Sequence, residues 1–494
     1  MKSASELPDS HLRTFDRPPV PEPEAIDDVY LIGICGTGMG ALAGLFKEAG
    51  KRVRGSDEAA YPPMSTHLAN RGIPVLEGYD PAHLDPAPDL TIVGNACTPT
   101  HPEAAAAREQ RLPQQSFPEA LAHSFLTDDR HSVVVAGTHG KTTTTGLLVH
   151  TFHAAGKDAG FLIGGVMQDR EQSYGLGTDA PFVVEGDEYD SAYFDKQPKF
   201  LHYRPNTAVV TSLEFDHADI YDDEDDYREA FEAFAGLVPA DGLLVLCGDD
   251  DRVRALASAT DAHVRTYGLD AGTDVRATNL QPTADGQAFD LIVDGTDRGT
   301  VALPMHGRYN VRNALAVATV LLDRGNDVDA IRNGLSSFPG MKRRQEVRGE
   351  PGGVLVLDDF AHHPTAVAAT IDGIRRAYPD RRLVAVFEPR SNSSRRKVFE
   401  DAYGRALTGA DAAFLKAPPV RHNDDAEAML DPEAVVRSLE TSGTPARAFA
   451  DTPALESALV DALRPGDVAL LMSNGSFDGL PADLVDALRR RSNE

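Results

Sequence analysis

The sequence has few cysteines and no long apolar run. Cys35, Cys97 and Cys247 are widely spaced, so the C-x-x-C pairs of zinc and disulfide motifs are missing, and buried reduced thiols are expected. No apolar run approaches the length that crosses a bilayer, and residues 1–24 contain no apolar stretch of the signal-peptide kind. These absences predict a cytoplasmic protein that is not bound to a membrane.

Basic residues are also few for a chain of this length. The 494 residues include 76 acidic and 48 basic ones, for a formal net charge of −28, and lysine is scarce. Such a surface would repel nucleic acids and anionic membranes, so neither is expected as a partner. A carboxylate-rich, lysine-poor surface suits a high-salt cytoplasm, where screening weakens self-repulsion. The oligomeric state expected is a monomer or a homodimer.

The length and three successive alternations of strand and helix patterns predict three α/β domains in series. Residues 1–24 are polar and proline-rich, and they are expected to form a disordered tail. The predicted domains are a Rossmann-like N-terminal domain at 25–127, a P-loop ATP-binding central domain at 128–340 and a Rossmann-like C-terminal domain at 341–494. Within the central domain, residues 274–303 predict small antiparallel strands.

The first predicted strand is at residues 29–33, and a glycine-rich turn follows it. Gly36, Gly38 and Gly40 open a helix there, and Asp57 ends the next strand. A turn of this kind either cradles a nucleotide diphosphate or only packs a helix on a sheet, and an acid at that spacing suits a ribose hydroxyl. Because a later loop accounts for ATP, this site is expected to bind a nucleotide-linked substrate, through Gly36, Thr37, Gly38, Met39, Gly40, Asp57 and Asn95.

The strongest chemical signal is the segment G-T-H-G-K-T at residues 137–142. It follows a β-branched strand and precedes an apolar helix, although its glycines are two residues closer than in a full G-x-x-x-x-G-K-[ST] motif. In such a loop the backbone N–H groups wrap a polyphosphate, Lys141 neutralises phosphate charge and Thr142 ligates Mg²⁺. ATP and Mg²⁺ are therefore the expected ligands, and the predicted ATP site includes Gly137, Thr138, His139, Gly140, Lys141, Thr142 and Thr143.

Acids and histidines follow two further strands of the central domain. Glu185 ends one strand, and Asp216 and His217 follow another. The carboxyl ends of parallel strands meet at one edge of a sheet, where ligands bind. Carboxylate and imidazole suit Mg²⁺ that is partly held by substrate phosphates, so Glu185 and His217 are predicted as ligands. The acidic run at residues 222–226 is interpreted as solvated surface.

Five motifs in one order resemble those of the Mur ligases. They are residues 137–142, Glu185, Asp216-His217, G-R-Y-N-V-R-N-A at 307–314 and D-D-F-A-H-H-P-T at 358–365. The resemblance extends from about Tyr30 to Gly479, nearly the whole chain. It implies an ATP-dependent, ADP-forming ligase of cell-wall metabolism that activates a carboxylate as an acyl phosphate and joins it to an amine.

The resemblance also implies roles for individual residues. Lys141, His217 and Arg344 would be catalytic, and Arg344 would reach the γ-phosphate across a domain boundary. Mg²⁺ would be held by Thr142, Glu185 and His217. The remaining contacts implied are Asn310 and Asn313 with adenine, Asp359 with the ATP ribose, and Arg390, Ser391 and Asn392 with carboxylates of the incoming peptide.

Two positions depart from the family pattern. Tyr309 stands where relatives commonly carry histidine, which puts its part in adenine contact in question. Several relatives carry a carbamylated lysine downstream of the position of His217, but residues 227–232 contain no lysine. Our hypothesis is that Glu232 replaces the carbamate.

Four segments indicate which substrate is used. Residues 188–196, 213–220, 388–393 and 472–477 are most similar to ligases that join the tripeptide L-alanyl-γ-D-glutamyl-meso-diaminopimelate to UDP-N-acetylmuramate in peptidoglycan recycling. The alternative within the family is the ligase that adds L-alanine to the same sugar nucleotide. The alternative of another class is a non-catalytic nucleotide-binding protein or an NAD-dependent oxidoreductase, which would leave the P-loop and the third domain unexplained.

Overall fold

The structure, a computed structural model, describes residues 3–60, 64–215, 220–419 and 428–493. Three main sheets follow one another along the chain, and helices cover their faces. The predicted class, three α/β domains in series, is confirmed. Within the described residues, none of the helices combines the length and the apolar character that crossing a membrane requires.

The N-terminal domain is built on a parallel sheet. Its elements are α1 (Ser10–Arg13), β1 (Asp28–Ile32), α2 (Thr37–Glu48), β2 (Arg52–Asp57), α3 (Met64–Asn70), β3 (Val75–Glu77), β4 (Leu90–Val93), α4 (Pro102–Glu109), β5 (Gln114–Ser116) and α5 (Phe117–Phe125). The strand order is β3-β2-β1-β4-β5, with every pair parallel. The order reverses between β1 and β4, which is the point where open α/β sheets bind ligands.

The central domain carries the largest sheet. Its elements are β6 (His131–Ala136), α6 (Lys141–Ala154), β7 (Gly160–Leu162), β8 (Tyr174–Gly175), β9 (Pro181–Glu185), β10 (Asp190–Ala192), β11 (Asp195–Pro198), β12 (Thr207–Val210), α7 (Glu224–Gly236), β13 (Leu243–Cys247), α8 (Asp251–Ala255), β14 (His263–Gly268), β15 (Val275–Thr283), β16 (Gly286–Val293), β17 (Thr296–Leu303), α9 (Arg308–Asp323) and α10 (Val328–Ser336). The order is β17-β16-β15-β14-β13-β12-β6-β9-β7-β8. Strands β15, β16 and β17 are antiparallel, as the sequence predicts.

The C-terminal domain has a third sheet. Its elements are β18 (Glu346–Gly349), β19 (Leu355–Asp359), α11 (Pro364–Ala377), β20 (Leu383–Phe387), α12 (Glu400–Ala406), β21 (Ala412–Lys416), α13 (Pro432–Thr441), β22 (Ala446–Phe449), α14 (Thr452–Ala462), β23 (Val468–Met472) and α15 (Leu480–Asn493). The order is β18-β19-β23-β20-β21-β22, and only the pairing of β18 is antiparallel among these strands.

The hydrophobic core is continuous between the first two domains and separate in the third. One buried cluster contains Phe46 and Phe125 of the N-terminal domain together with Phe161 and Phe182 of the central domain. Gly44 of α2 lies so close to Tyr174 of β8 that a Cβ atom would stand 2.1 Å from the tyrosine hydroxyl oxygen. The C-terminal sheet has its own apolar cluster on each face.

The segment before β1 differs from the predicted disordered tail. Phe15 stacks on Tyr193 with 6.2 Å between ring centroids and meets Phe194 edge-on at 5.9 Å. Arg17 donates through Nη1 and Nη2 to the carboxylate of Glu119, at 2.8 and 2.9 Å. The backbone is mostly irregular, as the prolines require, but these side chains attach it to the N-terminal and central domains.

Candidate active site

The loop between β6 and α6 has the shape of a phosphate-binding loop because of two glycines. Gly137 and Gly140 have φ values of 132° and 83°, which disfavour any residue with a side chain. A Cβ atom on Gly140 would also stand 2.6 Å from the Oδ1 atom of Asn313, at the start of α9. The loop and α9 are therefore in close contact, which brings Asn313 to the predicted ATP site.

Lys141, the first residue of α6, is paired with a buried acid. Its Nζ donates to the backbone oxygen of Gly137 at 2.6 Å and to the two carboxylate oxygens of Glu188 at 2.8 and 3.1 Å. Burial alone would lower the pKa of Lys141, but the charge and hydrogen bonds of Glu188, together with the charges of Asp187 and Glu185, raise the pKa overall. The ammonium group is thus held charged beside the loop. The sequence placed Glu188 in an acidic run but did not single it out.

Thr142 and Glu185, two of the predicted magnesium ligands, are in direct contact. The Thr142 hydroxyl donates to Glu185 Oε1 at 2.9 Å, and Gly164 N donates to Oε2 at 2.8 Å. A hydroxyl and a carboxylate at this separation fit two positions around one Mg²⁺ ion. The predicted third ligand, His217, lies outside the described residues, as does Asp216.

Arg344 brings the C-terminal side of the chain to the same place. Its Nη2 donates to Thr142 Oγ1 at 3.3 Å, and its guanidinium stands 4.5 Å from the ring centroid of Phe360. The flanking residues Arg343 and Gln345 have φ values of 58° and 53°, so the linker turns sharply on both sides of Arg344. This turn directs a cation toward the loop from the other domain.

The other residues predicted to contact ATP lie around this linker. Asn310 donates to His306 O at 2.8 Å and accepts from Asn313 at 3.2 Å. Asp359 accepts from the backbone N–H groups of Gln345 and Ala361, both at 2.8 Å. Burial raises the pKa of Asp359, although Arg344 opposes the change. In this arrangement Asp359 holds the linker in place.

Tyr309, the first departure from the family pattern, fits the same linker. Its hydroxyl accepts from the side-chain amide of Gln345, and burial raises its pKa. A Cβ atom on Gly307 would be 2.7 Å from the Tyr309 ring, so glycine makes room for it. The tyrosine therefore packs α9 against the linker.

The second and third loop residues face Glu214, which follows β12. Thr138 donates from Oγ1 to Glu214 O at 2.8 Å, and His139 donates from Nε2 to Glu214 Oε2 at 2.9 Å. Burial would raise the pKa of Glu214, but hydrogen bonds from His139 and Thr365 lower it to about 2. Thr143 is buried inside α6. Glu214 is a second acid at this site that the sequence did not single out.

The predicted sugar-nucleotide residues meet at one edge of the N-terminal sheet. Gly36 precedes α2, and Thr37, Gly38, Met39 and Gly40 form its first turn. Asp57 ends β2 and accepts from Cys35 N at 2.8 Å, while exposed Asn95 follows β4. These positions surround the point where the strand order reverses. Asp57 also fixes the loop that a diphosphate would approach.

The predicted peptide residues lie at the carboxyl end of β20. Arg390 is within 3.3 Å of Asp478 and 3.5 Å of Glu388, measured from Nη1 to the nearest carboxylate oxygen. Ser391 donates to Ser394 Oγ at 2.8 Å, and Asn392 Oδ1 accepts from Arg395 at 3.4 Å. The side chains of Ser391 and Asn392 thus make hydrogen bonds within the loop itself. Arg390, the one cation among the three predicted peptide residues, is about a third exposed.

The position of Glu232 does not support the hypothesis that it replaces the carbamate. On α7 the buried residues are Tyr227, Phe231, Phe234 and Ala235, and Glu232 lies on the exposed face. There it pairs with Arg228, with 3.3 Å between Nε and Oε1. The helical period directs Glu232 into solvent instead of toward the phosphate-binding loop.

Comparisons with known proteins agree with this arrangement. The chain matches the Mur ligase family, catalytic domain at residues 28–127, the Mur ligase middle domain at 135–321 and the Mur ligase, glutamate ligase domain at 343–475. It is 38% identical over 466 residues to the UDP-N-acetylmuramate–L-alanyl-γ-D-glutamyl-meso-2,6-diaminoheptandioate ligase of Escherichia coli (strain K12), which covers 94% of this chain and 99% of that protein.

Two further matches carry the names of the two kinds of ligase between which the substrate has to be decided. The UDP-N-acetylmuramate–L-alanine ligase of Chromobacterium violaceum is 36% identical over 469 residues, with 93% of this chain and 98% of that protein covered. The crystal structure of a murein peptide ligase from Psychrobacter arcticus 273-4 matches with a TM-score of 0.70 at 35% identity, covering 94% of this chain and 99% of that chain. Because its three domains match one family's models and nearly its whole length aligns with members of that family, this chain belongs to the Mur ligases.

Proposed function

We propose that this protein joins the tripeptide L-alanyl-γ-D-glutamyl-meso-diaminopimelate to the lactoyl carboxylate of UDP-N-acetylmuramate, with conversion of ATP to ADP and phosphate. The observation that carries the proposal is the meeting of Lys141, Thr142, Glu185 and Arg344 at one loop. Two cations and a hydroxyl–carboxylate pair at a phosphate-binding loop suit transfer of the γ-phosphoryl group of a nucleotide.

The chemistry follows from the substrates. A carboxylate is a poor electrophile, so a carboxylate oxygen first attacks the γ-phosphorus of ATP and ADP leaves. The amine then attacks the carbonyl carbon of the acyl phosphate. The C–O bond to phosphate breaks, the amide forms and the ammonium protons pass to solvent or a nearby base. Lys141 and Arg344 would stabilise the charge that spreads over the phosphoryl oxygens.

The magnesium site proposed is Thr142, Glu185 and His217. A bound Mg²⁺ would neutralise phosphate oxygens and orient the terminal phosphate. We further propose that Asn310 and Asn313 face adenine, and that the turn at Gly36–Gly40, with Asp57 and Asn95, binds the uridine diphosphate. Asp359 would contact the ATP ribose, because each of its two oxygens accepts one backbone N–H group and can accept a second hydrogen bond.

The tripeptide is favoured over L-alanine by the C-terminal site. Strands β20 and β23 are parallel neighbours, so the segments 388–393 and 472–477 emerge side by side. Glu388 N donates to Met472 O at 3.0 Å, and Ser473 Oγ donates to Glu388 Oε2 at 2.6 Å. Arg390 and Asp478 present charges of both signs there, which suits the further carboxylates and the second ammonium group that the tripeptide carries and L-alanine lacks.

The test is amine specificity. Purified protein with UDP-N-acetylmuramate, ATP and Mg²⁺ is supplied with either the tripeptide or L-alanine, and phosphate release is followed. We expect fast release with the tripeptide and slow release with L-alanine. The reverse order would identify the L-alanine ligase, the alternative that the 36% identical relative represents. The alternative of another class, an oxidoreductase or a non-catalytic nucleotide-binding protein, is set aside because the chain belongs to a family of ligases.

A further inference from the structure

A cluster of His139, Glu214 and His363 joins the phosphate-binding loop to the C-terminal domain. Nε2 of His139 is 2.9 Å from Glu214 Oε2, and Nδ1 of His363 is 3.8 Å from the same oxygen. One donor atom from each residue lies within 4.8 Å of the others. The two imidazole rings are tilted by 40° to each other, with 5.1 Å between centroids. Two nitrogens and one carboxylate oxygen therefore converge from three separate segments.

We propose that this cluster is a binding site for a Zn²⁺-class transition-metal ion, distinct from the magnesium site. Around a tetrahedral Zn²⁺ with bonds of 2.0–2.2 Å, ligand atoms lie about 3.3 Å apart. The separations here bracket that value, so side-chain movements on the order of 1 Å complete the geometry. Imidazole and carboxylate ligands suit zinc and cobalt, whereas Mg²⁺ prefers oxygen ligands.

The three ligands are anchored before any ion arrives. His139 N donates to Ser212 Oγ at 2.8 Å, and the backbone of Glu214 is held on both sides by Thr138 Oγ1. His363 is the N-cap residue of α11, and Pro364 stiffens the first turn. Thr365 donates to the second oxygen of Glu214 at 2.7 Å, which leaves Oε2 directed at the histidines. Anchoring of this kind reduces the entropy that binding must overcome.

Charge also favours a cation at this place. Within the described part of the chain, the ion pairs of Glu214 are with His139 and His363; Arg252 lies near enough to interact with its charge but forms no ion pair with it. A second cluster, Glu119, Asp195 and His202, differs in this respect. There Arg17 already binds both oxygens of Glu119. The first cluster is therefore the one that a metal ion would enter without displacing a guanidinium.

The consequence would be a metal link between two domains. His139 and Glu214 belong to the central domain and His363 to the C-terminal domain, so a bound ion would hold the interface that also positions Arg344. Binding should then raise thermal stability, because the ion binds the folded chain and not the unfolded one.

The experiment uses the full-length, chelator-treated protein without nucleotide. It is titrated with ZnCl₂ in excess Mg²⁺ by calorimetry, and with CoCl₂ by visible absorption. We expect one Zn²⁺ per chain and a cobalt band. His363→Ala and Glu214→Gln should each weaken zinc binding by on the order of tenfold or more, because loss of a direct ligand costs at least as much as loss of an outer partner. His263→Ala, at an exposed histidine, is the matched control and should bind like the wild type.

Folding is checked by thermal denaturation of each variant without zinc. Glu214→Gln preserves side-chain volume and the acceptor for Thr365, so it remains informative if His363→Ala is unstable. Absence of stoichiometric zinc binding by the wild type would overturn the proposal. The cluster would then only connect the two domains by hydrogen bonds. Zinc binding that neither variant weakens would overturn the proposal as well.

Discussion

The pair of Lys141 and Glu188 allows a quantitative test of how the phosphate-binding loop is held. Glu188 is 1% exposed, and the ammonium group of Lys141 contacts both carboxylate oxygens of Glu188. Breaking a buried ion pair by removing one partner costs roughly 3–5 kcal/mol, because the remaining charge stays desolvated. The lower end applies here, since the lysine side chain is 15% exposed. Lys141→Met should therefore lower stability by about 3 kcal/mol, or roughly 3–5 °C in Tm for a cooperative unit of about 300–500 residues.

Removing the charge on Glu188 as well should restore most of that loss. Lys141→Met/Glu188→Gln should regain about 2 kcal/mol relative to Lys141→Met, because no buried carboxylate then lacks its ammonium partner. Both variants should lose ATP turnover by on the order of 100-fold or more, since neither carries the cation that stabilises the phosphoryl oxygens. Circular dichroism during heating gives the first quantity, and phosphate release gives the second.

An exposed pair supplies the control. Arg228 and Glu232 on α7 are 43% and 46% exposed, so Arg228→Met should change stability by less than about 1 kcal/mol. If Lys141→Met is no less stable than Arg228→Met, or if the double variant is no more stable than Lys141→Met, the account of the buried pair is wrong.

Three further predictions concern other parts of the molecule. Gly140→Ala should raise the KM for ATP several-fold in steady-state assays. The φ of 83° disfavours alanine, and its Cβ atom would stand 2.6 Å from Asn313 Oδ1, so the loop would be strained. An unchanged KM would contradict this prediction. Burial raises the pKa of Asp358 to about 6, so this carboxyl lowers stability as pH rises from about 4 through 6. In urea titrations Asp358→Asn should therefore gain up to about 3 kcal/mol over the wild type at pH 7 and little at pH 4, and an equal gain at both would refute the assignment. Arg17→Ala should expose the segment before β1 to limited proteolysis, since it removes the bidentate contact with Glu119. Arg13→Ala should do so less, since it removes one hydrogen bond to Tyr193 O and one to Pro8 O within the segment itself.

Much of the fold follows from local patterns in the sequence. The run at β6 and the runs at β19 and β23 are continuous and apolar because these strands are buried on both faces of parallel sheets. The antiparallel strands β15 to β17 show alternating runs because one face is exposed. Helical periodicity also predicts the exposed face of α7. This signal could have excluded Glu232 as a replacement for the carbamate before the structure was known.

The contacts between distant segments could not be predicted in this way. The G-T-H-G-K-T segment identifies the loop, but Arg344 meets Thr142 across 202 residues, and only the resemblance to a family indicated it. Nothing in the acidic run after β9 distinguishes Glu188 from Asp187, because the turn of the backbone decides which carboxylate faces Lys141. The attachment of the segment before β1 depends in the same way on Phe15 and Arg17 finding partners in two domains.

The most direct test of the central claim follows the oxygen atoms of the sugar-borne carboxylate. UDP-N-acetylmuramate labelled with ¹⁸O in its lactoyl carboxylate is incubated with ATP, Mg²⁺ and the tripeptide, and the released phosphate is analysed by mass spectrometry. If the carboxylate is activated as an acyl phosphate, each phosphate should carry one ¹⁸O atom. Unlabelled phosphate accompanying normal amide formation would contradict the account.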